Sequence, residues 1–341
     1  PPATLSPYFL TELLREDMEF GGLLLTDAMR MRAISEGFGV GEAAVLALQA
    51  GADVILGPAD VWTTVDAVEE AVRSGRIPRE RLDASVRRVL EMKARVGLHR
   101  ARRVNLDRIA NVVGSSDHLR VADSAAAGAI TLPRDRDGLI PLDPRQYRRV
   151  LHLVYARDAD QAAGRVLGSS LGSYFREVIT HRLTPSSFST TYQELDSSLF
   201  AVDLVLVSAF VPPRAGAGEL AVPEALARFV AESARRRPTA VVSLGNPYLL
   251  SSFPDVGTYV LAWGPHEVTQ RAAARALVGE TRISGTLPIS LPPFHTLGEG
   301  LQRDAVSQVP RLGLAAQQEL EVGILPGPGV QPGEELSEGV D

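Results

Sequence analysis

The side chains best suited to chemistry in this chain are carboxylates, and one of them stands apart. Asp27 follows Thr26 and the continuous apolar run Leu23, Leu24, Leu25. Such a run reads as a short strand buried on both faces, as in a parallel sheet covered by helices. Asp27 then stands at the carboxyl end of the strand, the edge where α/β folds, and barrels above all, place catalytic groups. It could act there as a nucleophile in covalent catalysis if a second, proton-donating group faced it. An Asp directly after a strand also caps the next helix well, and spacing alone leaves both readings open. The nearby acids are Glu36, Glu42 and Asp53. Glu42 stands at a helix start, where the helix dipole accounts for it. Asp53 precedes a strand, at the end of a parallel sheet opposite the chemistry.

Other chemistries find less support. The chain has no cysteine, which removes disulfides, thiolate catalysis and the usual structural zinc patterns without fixing a compartment. The six histidines are isolated and none has His-x-x-x-His spacing, so no metal site is expected. There is no Gly-x-Ser-x-Gly nucleophile elbow, and Gly216-Ala-Gly218 reads as a loop rather than a phosphate cradle. Ser208 follows a buried strand but has no evident His partner in the sequence. A net charge of −6 and a pI near 5.6 argue against a general nucleic-acid binder. The Arg235-Arg236-Arg237 run reads as a solvated helix face. No apolar run approaches the length of a membrane span.

The elements that would position Asp27 alternate. Helical spacing of Phe9, Leu10, Leu13 and Leu14 predicts an amphipathic helix to about residue 18, and a second helix is expected over 41–50. Residues 51–58 read as a second buried strand ended by Gly57-Pro58, and helices follow over 61–73 and 78–96. Strand, helix, strand, helix with short connections is a run of βα units. After an Arg-rich stretch, a helix is expected from residue 116 or 117 to about 127. Later segments alternate again: strands over 149–155, 177–182, 202–207, 239–244 and 259–262, and helices over 159–167, 222–234 and 267–277. With 341 residues and 45% hydrophobic content, the chain can fill two α/β domains.

Several blocks together resemble glycoside hydrolase family three, most closely its β-N-acetylglucosaminidase branch. They are Leu-Leu-Leu-Thr-Asp-Ala-Met-Arg-Met at 23–31, the run from Gly41 to Pro58, and Ile77-Pro-Arg-Glu-Arg-Leu at 77–82 with the helix that continues to Leu98. Gly245-Asn-Pro-Tyr248, Ala274 to Glu280 and Gly285-Thr-Leu-Pro-Ile-Ser290 resemble that family's C-terminal domain. The resemblance covers about residues 1–295, in the family's order. It implies the C-terminal part of a (β/α)8 barrel over 1–98, about two βα units, and a linker with a helix over 99–138. An α/β sandwich domain with a mostly parallel sheet then spans 139–295, and a poorly ordered tail 296–341. Asp27, in the Thr-Asp-Ala pattern, would be the catalytic nucleophile of a retaining glycosidase acting on a carbohydrate, with no cofactor and no metal.

The departures from the family pattern carry their own expectation. In that branch the general acid/base is a His held by an Asp on a barrel loop upstream of the nucleophile. Neither it nor the sugar-binding Lys-His-Phe-Pro-Gly-His-Gly segment occurs here. Two βα units cannot close a barrel, so these residues are expected to be the C-terminal portion of a longer enzyme whose N-terminal barrel segment is their partner. In the β-glucosidase branch the acid/base is a Glu of the second domain, and Glu219 is its only counterpart here. A non-catalytic remnant that binds a carbohydrate or a partner is the alternative from another class.

Overall fold

A computed structural model describes residues 2–213 and 221–312, and the chain divides into two units, Pro1–Ile109 and Ala110–Asp341. In the first, β1 (Leu25–Ala28) pairs in parallel with β2 (Val54–Leu56). Helix α1 (Val40–Ala50) connects them, and α2 (Val61–Arg73) and α3 (Arg79–Arg95) follow. Ahead of β1 lies the π-helical segment Tyr8–Asp17, close to the expected amphipathic helix. α1 ends where Gly51 takes φ +127; a Cβ there would stand 2.8 Å from the Thr11 hydroxyl, which itself donates to Ala50 O. α2 starts where Asp60 accepts from Thr63 N at 2.6 Å.

The core of this unit is built from apolar side chains, several of them alanines: Met29, Ile34, Ala43, Ala47 and Ala52 in one cluster, Val45, Leu48, Ala71 and Ile77 in another. It covers one side of the sheet only. Leu25 is 50% exposed and Leu56 48% exposed. The expectation of strands buried on both faces is therefore corrected: one face of this sheet is half exposed.

The second unit is an α/β layer structure around a six-stranded sheet of order β3-β8-β7-β6-β4-β5. Its strands are β3 (Thr131–Asp135), β4 (Arg149–Tyr155), β5 (Glu177–Leu183), β6 (Leu204–Ala209), β7 (Thr239–Ser243) and β8 (Thr258–Leu261). All neighbours are parallel except β3 and β8. The expected helix over 159–167 forms later, as α5 (Arg165–Gly172), after Gly164 at φ +78. α6 (Ser189–Ser198), α7 (Glu224–Arg236) and α8 (Glu267–Leu277) complete the layers. Alternate residues of each central strand enter opposite cores: Val150, Leu206 and Val242 face one, Leu151, Val205 and Val241 the other. This is the pattern of a parallel sheet covered on both faces.

Two assignments change at the edges of this unit. Helix α4 (Ser116–Ala129) and β3, whose residues fall in the linker expected over 99–138, belong to the second unit, because β3, not expected from the sequence, forms its antiparallel edge against β8. Residues 296–312, expected to begin a loose tail, are held to the domain: Leu301 N donates to Leu132 O at 2.8 Å, and Arg303 pairs with the buried Asp135 at 2.8 Å. The remainder of the expected tail, 313–341, lies outside the described residues.

Candidate active site

The pairing of β1 with β2 slips between Leu25 and Ala28, and this slip shapes the site. Leu24 O accepts from both Asp53 N (2.7 Å) and Val54 N (3.1 Å). Beyond it, the Thr26 hydroxyl accepts from Leu56 N at 2.9 Å in place of a ladder carbonyl. Such irregularities re-aim the neighbouring side chain and recur beside active sites. Thr26 is buried, and Asp27 projects on the exposed side with Leu25. The strand begins later than expected, so Asp27 lies within it, one residue from its carboxyl end. Its Oδ1 accepts from Ala28 N at 2.6 Å. Oδ2 has no protein partner among the described residues.

The geometry separates the readings that spacing left open. The next helical turn, Arg32–Ser35, has Met31 at its N-cap and no side-chain cap, so Asp27 caps no helix. Glu36 is engaged by Arg32 at 2.9 Å. Glu42 is forked by Arg76 at 2.6 and 2.9 Å, and the hydrogen bond from that guanidinium lowers its pKa. Both are structural partners on the surface. Glu219 lies outside the described residues, as does the Gly216-Ala-Gly218 loop. Among the described residues no group of three or more His, Cys, Asp or Glu is placed to hold a metal, and no helix is long and apolar enough to cross a membrane.

Asp53 holds the opposite end of these strands together. Its side chain is buried and accepts from Leu24 N (3.0 Å), Ser85 Oγ (2.7 Å), Arg15 (2.6 Å) and Arg88 (3.0 Å), with Arg81 at 3.5 Å. Burial pushes its pKa up, but the Ser85 and Leu24 hydrogen bonds and the charges of Arg88 and Arg15 outweigh this and hold it below the ordinary value. Asp53 therefore fixes the start of β1 to the start of β2 and to α3. Sequence reasoning put it at the start of a strand but missed this role, since its partners lie 28 to 38 residues away.

The second unit supplies the His partner for Ser208 that the sequence did not reveal. β4 and β6 bring His152 Nε2 to 2.8 Å from Ser208 Oγ, and both residues are fully buried. No substrate reaches such a pair, so it serves as a satisfied polar contact in the core. Burial lowers the His152 pKa from 6.5 to about 4. The unfolded chain then binds a proton that the folded one refuses, so stability is complete above about pH 6.5 and declines as the pH falls toward 4. Between pH 7 and 5 the loss is expected to reach about 2 kcal/mol. Denaturant titrations should show this slope in the native protein and a much flatter one in His152→Gln.

Residues 1–92 match the family described as Glycosyl hydrolase family 3 N terminal domain. The chain is 27% identical over 301 residues to a β-N-acetylglucosaminidase/β-glucosidase of Cellulomonas fimi, covering 84% of this chain and 52% of that protein. It is 24% identical to β-hexosaminidase A of Pseudoalteromonas piscicida, covering 85% and 53%. A solved glycoside hydrolase family 3 β-N-acetylglucosaminidase from Paenibacillus sp. str. FPU-7 superposes with a TM-score of 0.64 at 26% identity, covering 83% of this chain and 53% of that one. The chain thus spans about half the length of these relatives.

Proposed function

We propose that this chain, whose residues 1–92 match the glycosyl hydrolase family 3 N terminal domain, forms part of a retaining exo-β-N-acetylglucosaminidase with Asp27 as nucleophile. The observation that supports this reading is the exposed Asp27 carboxylate on a register slip, with one oxygen held by Ala28 N and the other without a partner among the described residues. Asp27 attacks the anomeric carbon of a terminal β-linked N-acetylglucosamine while an acid protonates the departing oxygen. Water, deprotonated by the same group, then displaces Asp27 and restores the β configuration. Among the described residues no side chain hydrogen-bonds the Asp27 carboxylate. By the resemblance, the donor is a His–Asp pair on a barrel loop of the N-terminal segment, a partner consistent with the chain's coverage of about half of its relatives.

A β-glucosidase or β-xylosidase of the same family is the second reading, favoured by the double name of the Cellulomonas fimi relative. The two differ in the 2-acetamido group. A site that hydrogen-bonds this group rejects its hydroxyl analogue by a large factor, because its own polar groups are then left unpaired. The natural full-length protein is expected to hydrolyse an aryl N-acetyl-β-glucosaminide at least ~100-fold faster, by kcat/KM, than the aryl β-glucoside or β-xyloside. The reverse order would establish the second reading, and no turnover of any of the three would point to a non-catalytic binding role.

A further inference from the structure

The second unit contains a crevice that the glycosidase reading does not use. In its sheet the chain leaves β4 to place β5 on one side. It then recrosses to place β6 on the other side of β4 and continues outward through β7 and β8. The winding direction therefore reverses between β4 and β6. At such a reversal the connections leave the two strands in opposite directions, and the gap at their carboxyl ends is where open α/β sheets take ligands. A cavity of about 870 Å³ lies at this point. Arg157 lines it just beyond β4, Phe210 just beyond β6, and Pro265 and His266 beyond β8. Its size lies within the range of small-molecule sites.

The walls are fixed before any ligand arrives. Phe210 N donates to Tyr155 O at 2.8 Å, extending the β4–β6 pairing one residue past the strand ends. The Gln270 side chain accepts from Leu167 N at 3.1 Å and donates to Pro265 O at 2.8 Å. Trp263, which leads into Pro265, takes φ +65, rare for a bulky residue, and its indole N–H donates to Ala129 O at 2.9 Å.

The chemistry of the lining is set by which charges are already engaged. Asp160 is paired with Arg157 at 2.8 Å, and Glu267 with Arg271 at 3.3 Å. Arg165, at the start of α5, has no carboxylate partner among the described residues, and no described residue hydrogen-bonds the His266 ring. One guanidinium is thus left over in a crevice whose acids are occupied. We propose that this crevice binds a small phosphate- or carboxylate-bearing molecule up to the size of a sugar, with Arg165 forking the anion.

Calorimetric titration of the chain at fixed ionic strength tests this with inorganic phosphate, glucose 6-phosphate, glucuronate and, as neutral control, glucose. Saturable binding of at least one anion is expected, with none for glucose. Affinity should fall about tenfold or more in Arg165→Glu and less in Arg165→Lys. Binding of the two phosphates alone identifies phosphate as the group read; glucuronate binding identifies a carboxylate. Arg165 is exposed, so the thermal midpoint of Arg165→Glu should match the native protein and separate lost binding from lost folding. No saturable heat from any anion, equal binding of glucose, or unchanged affinity in Arg165→Glu would each overturn the proposal.

Discussion

With Asp27 as the proposed nucleophile, Asp27→Ala is expected to lower the hydrolysis of an aryl N-acetyl-β-glucosaminide by the full-length protein roughly 10⁴-fold or more, since the covalent intermediate then cannot form. The structure predicts that this loss comes without unfolding: Asp27 is exposed and its one hydrogen bond is to the adjacent Ala28 N. Thermal midpoints should therefore agree. Azide provides the sharper test. In the space left by the carboxylate, azide attacks the anomeric carbon from the face that Asp27 would have used. The C–O bond to the departing group breaks, a C–N bond forms, and the product is the α-glycosyl azide. Appearance of that product supports Asp27 as nucleophile. A variant that keeps more than about a hundredth of native turnover would remove Asp27 from the mechanism.

The largest effect on stability is expected at Asp53. Removing one member of a buried, hydrogen-bonded ion cluster leaves its partners charged and unpaired, at a cost of about 3–5 kcal/mol. In Asp53→Ala the guanidiniums of Arg15 and Arg88 lose their carboxylate, and Leu24 N and Ser85 lose an acceptor. Urea unfolding should show this loss. Glu42→Ala, which breaks an exposed pair with Arg76, should cost no more than about 1 kcal/mol. The pH dependence carries a sign. Because the folded pKa of Asp53 is depressed, its stabilisation is present above the unfolded carboxyl value near 4 and declines as the pH falls through the lower folded value. Equal losses in the two variants would show that the Asp53 cluster acts as a surface network.

What was legible in the sequence followed from how local the determinants are. β4 and α8 have the boundaries that their apolar pattern predicts, 149–155 and 267–277, because unbroken apolar alternation and a single helical stripe are properties of neighbouring residues. The α/β class and mostly parallel sheet followed from the alternation of such segments, and the position of Asp27 near a strand end from its place after an apolar run. β1 was displaced because Leu23, Leu24 and Leu25 look like the whole strand. Non-local bonds override that pattern: Gly22 O accepts from Arg15, and Leu24 N donates to the Asp53 side chain, so regular pairing starts at Leu25. β3 was hidden because Pro133, Arg134 and Asp135 do not read as a strand, and its partner β8 begins more than 120 residues later. The Ser208–His152 contact was hidden for the same reason, as only the β4–β6 pairing creates it.

The edge strand β3 has a consequence for how the chain emerges from the ribosome. It is synthesised before the rest of its sheet, yet it pairs with the last strand, and Asp135 at its end is gripped by Arg303. At translation rates of about 5–20 residues per second, those two residues appear on the order of ten seconds or more apart. During that interval β3 has no permanent neighbour, and its Leu132, fully buried in the finished protein, stays within reach of chaperones. The charged and Pro-containing sequence of Pro133, Arg134 and Asp135 then does something that its folded contacts alone would not reveal: it makes a waiting strand a poor template for wrong partners.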